Sequence, residues 1–370
     1  MKTLFLCITL LGAMVGALFG GVPVASAKPL VPASDDQVLV RLGPKVLPSP
    51  AHATPQQAVA QAQALLEQAR RDADPRPAGL ALGLLAPWSD DAHAPPDVVV
   101  MRATLQQHLH RFDQALAALQ SLVVRDRQQP QAWLTLATLH RLQGRYAQSD
   151  QACQALLGIG QRLHGQACLA ENISLRGDAV RARAMFESLL AQTTQAPTRA
   201  WLHASLAELH GRTGQPALAE AAWRAALNAA PDGYASLGLA DLLIAQARLP
   251  QALQVLRDQP ASDAVLLRRY QAGDAQAGAE LRQRQAGADV QAGAAAGHAR
   301  ELSLYALHVQ GDAAAAVALA RINLRTQREP IDLLLLAQAA RRAGDRAAVD
   351  ESLRLAQEIG LHDERLQALR

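Results

Sequence analysis

Lysine is almost missing from this chain. Only Lys2, Lys28 and Lys45 occur, so nearly all positive charge is arginine. Aromatic residues are few, with four Phe, four Tyr and four Trp. No Lys/Arg run is interleaved with aromatic rings, which excludes the usual electrostatic footprint of a nucleic-acid binder. Cysteine stops at three, Cys7, Cys153 and Cys168, and no Cys-x2-Cys pair exists. There is no Walker loop, no Gly-x-Ser-x-Gly elbow and no His-Glu-x-x-His helix. Nothing close in sequence assembles a nucleophile, a base and an orienting group. No catalytic residue, cofactor or metal ligand is therefore expected.

Long apolar runs are also lacking after the first twenty residues. Met1-Lys2, the apolar stretch Leu4–Phe19 and the small residues Ala25-Ser26-Ala27 together read as a secretory signal peptide over residues 1–27. A retained N-terminal anchor is the alternative. Cleavage near Ala27 would leave a periplasmic or secreted chain with no integral membrane span, since no other segment approaches the ~20 apolar residues a span needs. Losing Lys2 takes the formal charge from +3 to +2, so the sequence pI of about 9.0 reflects near balance of arginines and carboxylates. Residues 28–54 contain Pro29, Pro32, Pro44, Pro48 and Pro50 and read as an extended tether.

What is present is repetition. Leu169-Ala170-Glu171, Leu206-Ala207-Glu208 and Leu239-Ala240-Asp241 read alike, with weaker copies at Leu136-Ala137-Thr138 and Leu336-Ala337-Gln338. Each is followed by a small-residue turn and a second apolar helix. Gly144, Gly177, Gly214, Gly311 and Gly344 mark the turns, with Ala247 and Gly273 in similar places. Gly144 to Gly177 spans 33 residues, Gly177 to Gly214 spans 37, and Gly311 to Gly344 spans 33. Two antiparallel helices of about a dozen residues with two turns need that length. Such units bury their apolar faces only by stacking, which predicts an all-α solenoid.

These residues resemble the tetratricopeptide repeat, whose pattern is Trp-x2-Leu-Gly-x2-Tyr, then Gly, Ala-x3-Phe and Pro. Trp133, Leu136, Ala137, His140, Gly144, Tyr146, Ser149 and Cys153 form one copy. Leu169, Ala170, Ile173, Gly177, Ala182 and Phe186 form the next. Leu206, Ala207, His210, Gly214, Ala219, Trp223 and Pro231 form the fullest. The resemblance covers roughly residues 96–360. It implies stacked antiparallel helix pairs in a right-handed superhelix, and a protein-binding scaffold, adaptor or assembly factor. Along the chain we expect an atypical helical unit over 55–95, an array over 96–262, an irregular connection over 263–296, and further units with a capping helix over 297–370.

In this family the first helices line the concave face. Glu171, Glu208 and Asp241 are thus candidates for a groove, with His164, Trp201 and Tyr234 seven residues earlier on the same helical faces. A row of acids beside a row of rings would suit a protein or peptide partner, a basic segment being one candidate. A solvated helix face is the other reading. The Lys, Asn and Arg clamp that the family uses for a peptide carboxylate is missing. A ligand- or metal-binding receptor is the alternative function. A cell-wall enzyme would need a catalytic domain, for which residues 28–370 leave no segment. His203 and His210 could share a face, but His210 occupies the usual Tyr place and reads as a packed residue. Cys153 and Cys168 should lie at similar heights on adjacent antiparallel helices. Export would permit a disulfide, and two buried thiols are the alternative.

Overall fold

Proline opens many of the helices. In the computed structural model, Pro55, Pro96, Pro130, Pro216 and Pro330 each stand at a first helical position, where the missing N–H costs nothing and φ is already suitable. The structure describes residues 54–72, 74–286 and 299–369; the expected signal peptide over 1–27, almost all of the expected tether over 28–54 and the Gly/Ala-rich stretch 287–298 lie outside the described residues. Among the described residues there is no strand.

The first unit is α1 (Pro55–Asp72) with α2 (Arg76–Leu84). Next come α3 (Pro96–His108) with α4 (Phe112–Arg125), α5 (Pro130–Leu142) with α6 (Tyr146–Gly158), and α7 (Arg162–Leu175) with α8 (Ala179–Gln192). They continue as α9 (Ala196–Arg212) with α10 (Pro216–Ala229), α11 (Gly233–Ala245) with α12 (Leu249–Val255), and α13 (Asp263–Gln271) with α14 (Ala275–Ala286). The last helices are α15 (Ala299–Tyr305), extended by a π-turn, α16 (Ala313–Asn323), α17 (Pro330–Ala343), α18 (Arg346–Ile359) and the short α19 (Glu364–Gln367). Each helix packs chiefly on its sequence neighbours, which makes the chain an all-α solenoid.

The repeated small residues do what their size permits. Ala137, Ala170, Ala207 and Ala240 are all fully buried, where a larger side chain would hold neighbouring helices apart. Phe186 and Trp223 fill the space between units, Phe186 among Ala167, Ala170, Leu202, Leu206 and Leu209, Trp223 among Ala204, Ala226 and Leu239. Cys153 and Cys168 are joined in a disulfide across α6 and α7, with their Cα atoms 5.6 Å apart. Replacing both by alanine is expected to lower stability by about 3 kcal/mol, the loop-entropy value for a bridge of this span. Denaturant unfolding of oxidised protein against the double variant measures this, and equal midpoints would exclude a stabilising role.

One arrangement lies beyond any local pattern. The C-terminal helices pack along the edge formed by successive first-helix turns. The Arg328 amide donates to the Leu142 carbonyl at 2.7 Å, and the His362 amide to the Leu175 carbonyl at 2.8 Å. Both carbonyls end a first helix, where the last four have no partner within the helix. Gln327 Nε2 lies 3.1 Å from His110 Nδ1 at the preceding turn. Gly144 and Gly177 have φ of +72° and +94°, and a Cβ on either would lie 3.0 Å from Ile359 or His362 respectively. Glycine there answers both a backbone and a packing demand. Tyr146 and Leu175 accordingly belong to the same hydrophobic core as Leu333, Leu335, Leu336 and Leu361. Near the end of the chain, Leu361, Asp363 and Leu366 are buried.

Candidate binding cavity

The first helices α5, α7, α9 and α11, with Phe186 of α8 and Ala226 of α10, line an open cavity of about 520 Å³. Its walls include Arg141, Tyr146, Glu171, Trp201, Glu208, Arg212 and Tyr234. Glu329 and Pro330, from the start of α17, also line it. The size falls within the range of small-ligand pockets.

Of the six groove candidates, the cavity takes Glu171, Trp201, Glu208 and Tyr234. His164 lies outside the lining and stacks on Trp201, with ring centroids 6.1 Å apart. Asp241 is outside too, held in a two-pronged pair by Arg268, with both N–O distances 2.7 Å. Spacing by seven pairs each acid with the ring on its own helix. The structure pairs it with the next first helix instead. Glu171 Oε1 accepts from Trp201 Nε1 at 2.8 Å and from Ser205 Oγ at 3.0 Å. Glu208 accepts from the Tyr234 hydroxyl. The acids and rings thus form rungs between helices rather than two parallel rows, because neighbouring helices approach more closely than two turns of one helix.

The acids are not free charges. Glu171 Oε2 lies 2.8 Å from Arg141 Nη2. Glu208 is less well matched, with Arg212 Nη1 at 3.4 Å, while Arg212 Nη2 donates to Ser174 Oγ at 2.6 Å. Glu208 keeps 38% of its side-chain surface, but it stands among the packed first helices that line the cavity. Desolvation raises its carboxyl above the ordinary carboxylate range, against the pull of Arg212 and helped by Glu171 and Glu329. Burial lowers the Arg212 guanidinium, opposed by Glu208. Burial pushes the Tyr146 hydroxyl up to about 12.

Three buried donors around the cavity, Arg141 Nη1, Tyr146 OH and Arg212 Nε, have no hydrogen-bond partner among the described residues. A buried polar group left unpaired costs about 1–3 kcal/mol. Arg141, Arg212 and Tyr146 were not among the sequence candidates. The available signal was slight: Arg141 and Arg212 sit in the last turns of α5 and α9, where cations suit the helix dipole. His210 is buried, and its Nδ1 has no hydrogen-bond partner among the described residues. Among the described residues, no three His, Cys, Asp or Glu side chains gather as metal ligands.

No family model matches the sequence, and no curated protein does. Several solved structures are similar to it. The human IFIT1 dimer with PPP-AAAA is 14% identical, with 83% of this chain and 73% of that chain covered and a TM-score of 0.45. A tetratricopeptide repeat protein from Parabacteroides merdae is 14% identical, with 74% and 96% covered and a TM-score of 0.32. The TPR domain of P58(IPK) is 15% identical, with 86% and 96% covered and a TM-score of 0.27. Tetratricopeptide-repeat proteins are thus among the structures this chain is similar to. The likeness is one of helical architecture.

Proposed function

We propose that this chain is a non-enzymatic scaffold or adaptor that holds a segment of another protein in the cavity between α5, α7, α9 and α11. The observation that carries this reading is the composition of the cavity wall. Unpartnered donors on Arg141, Tyr146 and Arg212 stand with an incompletely paired carboxylate, Glu208, and with the rings of Trp201 and Tyr234. A polypeptide supplies both carbonyl acceptors and N–H donors, so it answers both halves of this set. A Lys or Arg side chain of the partner would lie against Glu208 and the two rings, which attract cations through charge and ring quadrupole. A basic segment is therefore the preferred occupant, with one acid contributing most of the attraction because Arg141 and Arg268 already hold Glu171 and Asp241. The signal-like N-terminus supports action in the periplasm or outside the cell. A second acid in the cavity wall, Glu329, favours a second reading, a receptor for a small cationic ligand.

A peptide array scanned with the full-length protein tests this proposal. Peptides bearing Lys or Arg should bind, and replacement of that residue by norleucine should weaken them. Glu208→Gln and Trp201→Ala are each expected to cost about 0.5–2 kcal/mol of affinity for such a peptide, measured by fluorescence anisotropy at low salt. Unchanged affinity in both folded variants would exclude the cavity as the binding site. Binding of free amines alone, with no peptide selected, would favour the receptor.

A further inference from the structure

A second, wider groove lies on the C-terminal units. Its volume is about 1010 Å³, and it shares no lining residue with the cavity. One wall is a single stripe of α18. Arg346, Val349, Asp350, Leu353, Arg354 and Gln357 line it, at the spacing of one helical face. Ala340 and Arg341 of α17 form the second wall, and Leu361 and Leu369 the third. Elsewhere in the array a second helix is followed by a first helix that packs on it. Here α18 is followed by the four-residue α19, which packs chiefly on α17. The α18 stripe therefore stays open.

The floor is apolar. Ala340, Val349 and Leu361 are buried in it, while Leu353 and Leu369 remain half-buried. The rim is cationic. Arg341, Arg346 and Arg354 are exposed, and their guanidinium groups have no ion pair or hydrogen bond among the described residues. Neighbouring arginines differ: Glu351 holds Arg321 at 2.8 Å, and Asp363 holds Arg365 at 2.6 Å. Asp350 is the one carboxylate in the lining, against these three cations.

We infer that this groove docks an acidic amphipathic helix of a partner protein. Its apolar stripe packs on Leu353 and Leu369, and carboxylates on its flanks pair with Arg341, Arg346 and Arg354. A helix laid in a groove uses apolar anchors at helical spacing, and arginine offers a carboxylate two parallel donors. Arg346 and Arg354 are eight residues apart, about 12 Å along α18. Acids seven or eight residues apart on the partner match that span, whereas an acid midway would face Asp350. The lining contains no aromatic ring, so it offers no stacking platform for a nucleic-acid strand. A second copy of this chain, bound through the same face, would set the arginines against their own counterparts. The docking surface stands whether or not the cavity holds a basic segment.

Fluorescein-labelled helical peptides test it, each with one leucine stripe and two flanking glutamates at spacings of about four to eight residues. Their anisotropy is read with the full-length oxidised protein at low salt. The seven- and eight-residue spacings should bind best, and a scrambled peptide of equal charge should bind weakly. Arg346→Gln with Arg354→Gln should weaken the best peptide about tenfold, two ion pairs being lost. Arg181→Gln with Arg257→Gln removes the same charge from exposed sites outside the groove and should leave the affinity unchanged. Should the first double variant fail to fold, Arg341→Glu takes its place with the same expected loss.

No binding by any spacing would overturn the proposal. Equal binding of the scrambled peptide would reduce the groove to a plain cationic patch, and equal loss in the Arg181/Arg257 variant would reduce the effect to net charge. Tighter, groove-dependent binding of single-stranded RNA would assign the arginines to phosphates instead. A dimer seen by sedimentation, and dissolved by the Arg346/Arg354 variant, would make a second copy the occupant and overturn the acidic partner.

Discussion

Arg300→Met is expected to destabilise the C-terminal helices by about 3–5 kcal/mol, the usual cost of stranding a buried charge. Asp332 has no exposed side-chain surface, and Arg300 Nε lies 2.6 Å from its Oδ1. Asn323 Nδ2 donates to the same oxygen at 2.7 Å, and the Glu329 amide to Oδ2 at 2.9 Å. Burial disfavours the guanidinium charge of Arg300, but Glu329 and Asp332 outweigh burial and hold it firmly protonated. Removing Arg300 leaves the carboxylate where water cannot replace the lost pair. The double variant Arg300→Met with Asp332→Asn keeps the acceptor and removes the charge, so it should recover a large part of the loss. Solenoids open region by region, and hydrogen exchange in α17 together with denaturant unfolding is the suitable measurement. A loss below about 1 kcal/mol in the single variant would place the network among weak surface pairs.

Phe186→Ala should cost a similar amount, about 3–5 kcal/mol, from lost transfer energy and the void it leaves. The side chain is fully buried between α7, α8 and α9. Ala167, Ala170 and Ala182 around it offer no longer side chain to collapse into the space. Phe186 also lines the binding cavity, so the void would merge with it and loosen the seat of Trp201. Val124→Ala is the comparison: that residue is 82% exposed, and its truncation should shift stability by no more than about 0.5 kcal/mol. Urea unfolding of the two variants checks both expectations, and a Phe186→Ala loss no greater than the Val124→Ala loss would mean that the inter-unit plug is not where packing energy resides.

By itself the sequence determined the repeating unit. Small residues at Ala137, Ala170, Ala207 and Ala240, turn glycines about 33 residues apart and prolines at helix starts are local features, and local backbone rules read them directly. The same periodicity put Glu171, Glu208, Trp201 and Tyr234 on one side of the array, where they line one cavity. Their partners were another matter. Trp201 reaches Glu171 across 30 residues, Arg268 reaches Asp241 across 27, and Gln327 reaches His110 across 217. Helical period fixes a direction for each side chain but not the offset between neighbouring helices, so it could not pair acid with ring or arginine. Docking of the C-terminal helices on the turn edge lies further beyond it. That contact uses helix-end carbonyls, which every turn possesses, and glycines, which most turns share, so local pattern could not select which turns receive Arg328, Ile359 and His362.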